Sequence, residues 1–115
     1  MPTLSWQAKH LLIKHNGSRN PVSRRTQQLT IISYDEAVTE LQKWRQSIED
    51  GKLTFEEAAR QRSDCSSYAR GGDLGVFGPG EMMKSFEDAT QSLEVGQISD
   101  IVVTDSGVHI IKRMA

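Results

Sequence analysis

Residues 33–50, SYDEAVTELQKWRQSIED, set the strongest condition on the fold. Ser33 followed three residues later by Glu36 is a capping box, in which each side chain takes up an amide at the start of a helix. Tyr34, Ala37, Val38, Leu41, Trp44 and Ile48 then recur at helical spacing and make one apolar stripe. Gly51 supplies the stop. A long helix with a single apolar face needs a partner layer, and the sequence offers strands for it. In residues 6–15, WQAKHLLIKH, alternation puts Trp6, Ala8, His10, Leu12 and Lys14 on one side and Leu11, Ile13 and His15 on the other. Both sides carry apolar bulk, as a central strand requires. Residues 98–103 and 108–114 also read as strands. The loop TDSG between them, with Gly107 free to take positive φ, folds them into an antiparallel hairpin.

The remaining elements are shorter. Thr54 with Glu57 repeats the capping box and starts a helix presenting Phe55, Ala58 and Ala59. Ser85 with Asp88 predicts a third start, for FEDATQSL, stopped by Gly96. Residues 16–29 hold Asn-Gly, Pro21 and no period, so they read as a loop. A short strand is expected near Leu74–Phe77, inside a glycine-rich stretch. The order gives an α+β fold, an antiparallel sheet with helices packed on it, in one domain spanning residues 1–115.

Composition narrows the function. With 37% hydrophobic and 25% charged residues the chain is globular rather than disordered. A net charge of −1 and a pI near 6.3 argue against a nucleic-acid binder. No apolar run approaches the ~20 residues that span a bilayer, and the N-terminus lacks a secretory pattern. The single cysteine fits a reducing compartment, cytoplasm or nucleus. Charge is nonetheless uneven: Lys9, Lys14, Arg19, Arg24 and Arg25 make the first quarter locally cationic.

Four groups of residues could carry chemistry. Lys14 at a strand end and Arg19 at the start of the loop could converge on a phosphate; Arg24 and Arg25 are possible support. His10 and His109 lie on strands that could be neighbours, which invites a hydrogen-bonded pair. A metal is not expected, because no CxxC or HxxxH spacing is present. Cys65 is open to three readings: a small buried residue, a nucleophile activated by histidine, or a side chain lining a site without covalent chemistry. Leu74, Phe77, Met82 and Phe86 bracket Gly78-Pro79-Gly80, either as core or as an apolar cup of the size of a five-membered ring.

KHLLIKH, SR in a basic loop, FEEAA, SDCSS, GGDLGVF, GEM, SFEDA and TDSGVHIIKR together resemble the parvulin family of peptidyl-prolyl cis/trans isomerases, and its phosphorylation-directed branch most. The resemblance runs from about His10 to Arg113, and no WW module accompanies it. It implies a four-stranded antiparallel sheet surrounded by about four helices. It implies His10 and His109 as paired histidines, Cys65 and Ser106 beside the isomerising bond, and Leu74, Met82 and Phe86 as the proline pocket. Lys14 and Arg19 would bind the substrate phosphate, Thr104 would support the histidines, and Asp64, Ser66 and Ser67 would shape the cysteine turn. The expected partners are phosphoserine- or phosphothreonine-proline segments. No cofactor, nucleic acid or membrane is expected, and the chain is expected to be monomeric. Asn20, Met83 and Ser85 depart from the family pattern at positions commonly held by arginine, glutamine and proline. Asn20 bears on phosphate affinity, while Ser85 is expected to cap its helix. A noncatalytic phosphopeptide-binding module and a cysteine hydrolase are the rival readings.

Overall fold

The computed structural model describes residues 4–115. Four strands, β1 (Trp6–Ile13), β2 (Asp73–Phe77), β3 (Val102–Thr104) and β4 (Gly107–Arg113), form one antiparallel sheet in the order β2-β1-β4-β3. Three helices, α1 (Tyr34–Glu49), α2 (Phe55–Arg62) and α3 (Lys84–Ser92), pack around it, with a 3-10 helix at Ser66–Arg70. Counting the 3-10 helix, this is the architecture the sequence implied.

Alternation along the two central strands divides the core in two. Leu11 and Ile13 of β1 and Val108 and Ile110 of β4 face α1 and α2, where they meet Ala37, Leu41, Phe55 and Ala58. Trp6 and Ala8 of β1 and Ile111 of β4 face the other way, against Phe77, Phe86 and Leu93. A one-residue slip would exchange these sets, so the register is firmly specified. Both capping boxes form as predicted. Glu36 N donates to Ser33 Oγ at 3.1 Å and Ser33 N to Glu36 Oε1 at 3.0 Å, and Thr54 and Glu57 repeat the exchange.

Three expectations need correction. The third helix is not capped by Ser85. Its cap residue is Met83, which has no capping side chain, while Ser85 Oγ donates to the Val103 carbonyl at 3.1 Å. Asp88 pairs with Lys84 instead, and the helix ends at Ser92, before Gly96. The strand expected over 98–103 is confined to Val102–Thr104, with Ile98 making only an isolated bridge to Lys112. Between them the Ile111 amide donates to Ser99 Oγ rather than to a carbonyl, and the Ser99 carbonyl accepts Arg45 Nε at 2.8 Å. The side chain thus replaces a rung of the ladder. The first strand ends at Ile13 rather than residue 15, because the Lys14 amide turns to the carboxylate of Asp64.

Candidate active site

The site lies on the α3 face of the sheet. His10 pairs in register with Ile111 and His109 with Leu12, so the two histidines are diagonal neighbours on one face. Their rings stack at 5.1 Å and their Nδ1 atoms are 3.0 Å apart. His109 Nε2 lies 2.7 Å from Thr104 Oγ1, which also accepts the Ser106 amide at 3.1 Å. Burial holds the His109 pKa well below its ordinary value, so this ring is neutral.

A neutral His109 carries one proton, which fixes the polarity of the chain to one of two senses. If Thr104 donates to His109 Nε2, then His109 Nδ1–H donates to His10 Nδ1 and His10 Nε2 carries the other proton. That sense suits the next neighbour. His10 Nε2 and Ser67 Oγ are buried with no hydrogen-bond partner, and both residues act on the Cys65 thiol. Burial opposes ionisation of the Cys65 thiol, but attraction to His10 and donors at Ser67 outweigh it and bring its pKa from 9.0 down to about 6. Cys65 precedes the 3-10 helix in extended conformation and is only partly buried, so its sulfur is reachable.

A cleft of about 440 Å³ opens beside it, lined by Leu12, Lys14, Arg19, Asn20, Arg24, Cys65, Ser66 and Ser106. Lys14 and Arg19 therefore share one concavity with Cys65 and Ser106. Arg19 and Arg24 are exposed, and the Arg19 amide is tied to the Asp105 carbonyl at 2.8 Å. Lys14, expected at a phosphate site, lines the cleft but is already bound to the protein. Its side chain is buried, Nζ donates to the Val22 carbonyl at 2.7 Å, and burial lowers its pKa, with Arg24 adding to the effect. Arg25 does not line the cleft; its Nε turns to the Ser63 carbonyl at 3.3 Å. Asp64 organises rather than lines: it receives the Lys14 amide and the Ser23 hydroxyl.

Leu74, Met82 and Phe86 belong to a single apolar cluster on the same face. Phe86 meets both histidines edge-on, 5.6 Å from His10 and 5.4 Å from His109. The histidine pair thus meets the apolar cluster through Phe86 and is linked to the cleft through Thr104 and Ser106. Among the described residues no three His, Cys, Asp or Glu side chains are arranged to hold a metal ion, and no helix is long and apolar enough to cross a membrane. Sequence reasoning missed Ser23 and Arg62 around Asp64; both are joined to it only through tertiary contacts.

Sheet, paired histidines and cysteine turn are arranged as the resemblance to the parvulin-type peptidyl-prolyl isomerases implied, and the comparisons with known proteins show that family. Residues 10–115 match the PPIC-type PPIASE domain of the rotamase family, so the chain belongs to that family of cis/trans isomerases. The peptidyl-prolyl cis-trans isomerase Pin1 of Arabidopsis thaliana is 55% identical over 112 residues, covering 95% of this chain and 94% of that one. The isomerase ESS1 of Saccharomyces cerevisiae is 54% identical over 107 residues, 91% of this chain and 62% of its own. The solution structure of TbPIN1 superposes with a TM-score of 0.88 at 62% identity, covering 96% of this chain and 97% of that one.

Proposed function

We propose that this isomerase prefers X-Pro bonds in which X is phosphoserine or phosphothreonine, and that it acts without a covalent intermediate. The observation that carries the reading is the single cleft that unites Lys14, Arg19 and Arg24 with Cys65 and Ser106. Rotation about an X-Pro bond faces a barrier of ~18–20 kcal/mol and relaxes in tens to hundreds of seconds unaided. No bond has to break. The enzyme needs to favour the twisted imide over the planar one. Leu74, Met82 and Phe86 would hold the proline ring, and the basic groups would hold the preceding phosphate, so the intervening bond turns between two anchors. A planar imide carries more negative charge on its oxygen than a twisted one. A Cys65 thiolate beside that oxygen would disfavour the planar state and so lower the barrier.

The test is an isomerase assay on matched peptides with Ser, phosphoserine or Glu before Pro. Phosphoserine is expected to give the highest kcat/KM, and equal values for Ser and phosphoserine would overturn the reading. Arg19→Ala is expected to reduce the phosphoserine-over-serine ratio by roughly tenfold or more, the size of one charge-assisted hydrogen bond. An unchanged ratio would remove Arg19 from the phosphate site.

Cys65 makes a separate prediction. Iodoacetamide alkylation of the free enzyme should follow a titration centred near pH 6, the thiolate fraction rising with pH. A bound phosphopeptide places negative charge in the same cleft, so the midpoint should move up. Cys65→Ser keeps a polar group beside His10 and is expected to lose about tenfold in kcat/KM, with Cys65→Ala losing more. Equal and complete loss in both, with a stoichiometric adduct on the wild-type sulfur, would point to thiolate attack.

A further inference from the structure

Asp64 is the hub on which the basic cleft is built, and Arg62 is what holds the hub. The Asp64 side chain is 4% exposed. Its Oδ2 accepts the Lys14 amide at 2.9 Å and its Oδ1 the Ser23 hydroxyl at 2.6 Å, while its carbonyl accepts the Arg24 amide at 2.9 Å. Lys14 and Arg24 line the cleft, so one residue fixes two of its walls. A buried carboxylate needs a counter-charge. Arg62, at the end of α2, supplies it: Nη1 lies 3.1 Å from each Asp64 oxygen. The same guanidinium is gripped on its other side by Glu40 of α1, through Nε and through Nη2 at 3.3 Å. Glu40 is steadied in turn by the Trp44 indole at 3.0 Å.

We infer that Arg62 is a positioning residue for the phosphate site, reaching it through Asp64 although it does not line the cleft. The inference rests on the phosphate reading given above. The planar fork is bidentate on Glu40 and turns its remaining nitrogen, Nη1, to both oxygens of Asp64, so it fixes direction as well as charge. It locks the basic loop to α1 and α2 and cancels a negative charge that would otherwise stand behind the anion site. Without it, Asp64 would be an uncompensated acid beside a cleft meant for a phosphate. The loop's own local contacts are short-range, and the Ser23–Asp64 and Arg24–Asp64 bonds are its long-range ties to this hub.

The experiment compares wild type with Arg62→Met, Arg62→Lys and Ser23→Ala on phosphoserine-Pro and alanine-Pro peptides. In parallel, amide hydrogen exchange is followed at Lys14 and Arg24. Arg62→Met is expected to raise KM for the phosphopeptide about tenfold with kcat changed less than threefold, and so to lower the discrimination ratio about tenfold. Both amides should exchange faster. Arg62→Lys keeps the charge but not the fork and should recover part of the discrimination, which a merely destabilising change would not do. Should Arg62→Met fail to fold, Ser23→Ala cuts the loop from the same hub and is expected to speed exchange at Arg24 and lower the ratio at least threefold. A wild type that discriminates while the folded variants keep its ratio overturns the inference. A wild type that does not discriminate defeats the phosphate reading instead; the role of Arg62 is then decided by exchange, and unchanged protection at Lys14 and Arg24 overturns it.

Discussion

Phe86→Ala is expected to lower the free energy of unfolding by about 3–5 kcal/mol, the usual range for a buried phenylalanine reduced to alanine. Phe86 is 4% exposed and sits where three structures meet. It anchors α3 to the sheet, it faces Phe77 at 6.2 Å, and it supports both histidine rings from the side. The cavity would therefore open directly beneath His10 and His109, and collapse into it would tilt the pair. Urea unfolding reads the stability change. Phe86→Leu, which preserves more volume, separates site from fold: it should stay folded yet lose at least tenfold in kcat/KM on serine-Pro and phosphoserine-Pro peptides alike. A loss confined to the phosphopeptide would place Phe86 outside the proline pocket. A loss below about 1 kcal/mol for Phe86→Ala would mean that the ring is not the keystone its burial implies.

The parts of this molecule that could be read in advance are those whose partners are near in sequence. The capping boxes at Ser33–Glu36 and Thr54–Glu57 are complete within four residues, and alternation alone sorts Trp6 through Lys14 onto the faces they occupy. The histidine pair was legible for the same reason: two strand histidines become neighbours once a hairpin returns beside the first strand. The misread elements are those settled by distant groups. Ser85 offered a local cap, but the Val103 carbonyl lies within reach of its hydroxyl and takes it. Ser99 looked like a strand residue, yet its own hydroxyl and Arg45 claim the positions that a ladder would use. Arg24 and Arg25 are adjacent and chemically equal, and only the folded loop sends one to the cleft and the other to Ser63. The bond from Lys14 to Val22 and the grip of Arg62 on Asp64 join residues whose relation no period encodes. The apolar set around Gly78-Pro79-Gly80 was legible from the residues themselves, whereas its role as a proline pocket and the support from Thr104 came from family resemblance; Leu74, Met82 and Phe86 do gather in one cluster, and Thr104 does reach His109.

Gly72→Ala should be as damaging as the loss of Phe86, although it adds one carbon where the other removes six. Gly72 has φ +88°, where a side chain is strained, and a Cβ there would lie 2.3 Å from the His10 carbonyl oxygen and 3.2 Å from Ala59 Cβ. Neither neighbour can easily give way. The Gly72 carbonyl accepts the His10 amide at 2.9 Å, so the two backbones are already held together. Ala59 is fully buried on α2. Left-handed strain of about 1–2 kcal/mol and overpacking of about 1–3 kcal/mol add to an expected cost of roughly 3–4 kcal/mol. Gly96 is the control: its φ is also +88°, but nothing lies within 4 Å of a Cβ built there. Gly96→Ala should thus show the strain alone, and the difference between the two variants measures the collision. If they unfold at the same urea concentration, the close approach of Gly72 to His10 is not a constraint on the fold. If Gly72→Ala is the weaker protein and its folded fraction also isomerises more slowly, the position of His10 on β1 depends on the missing side chain of its neighbour.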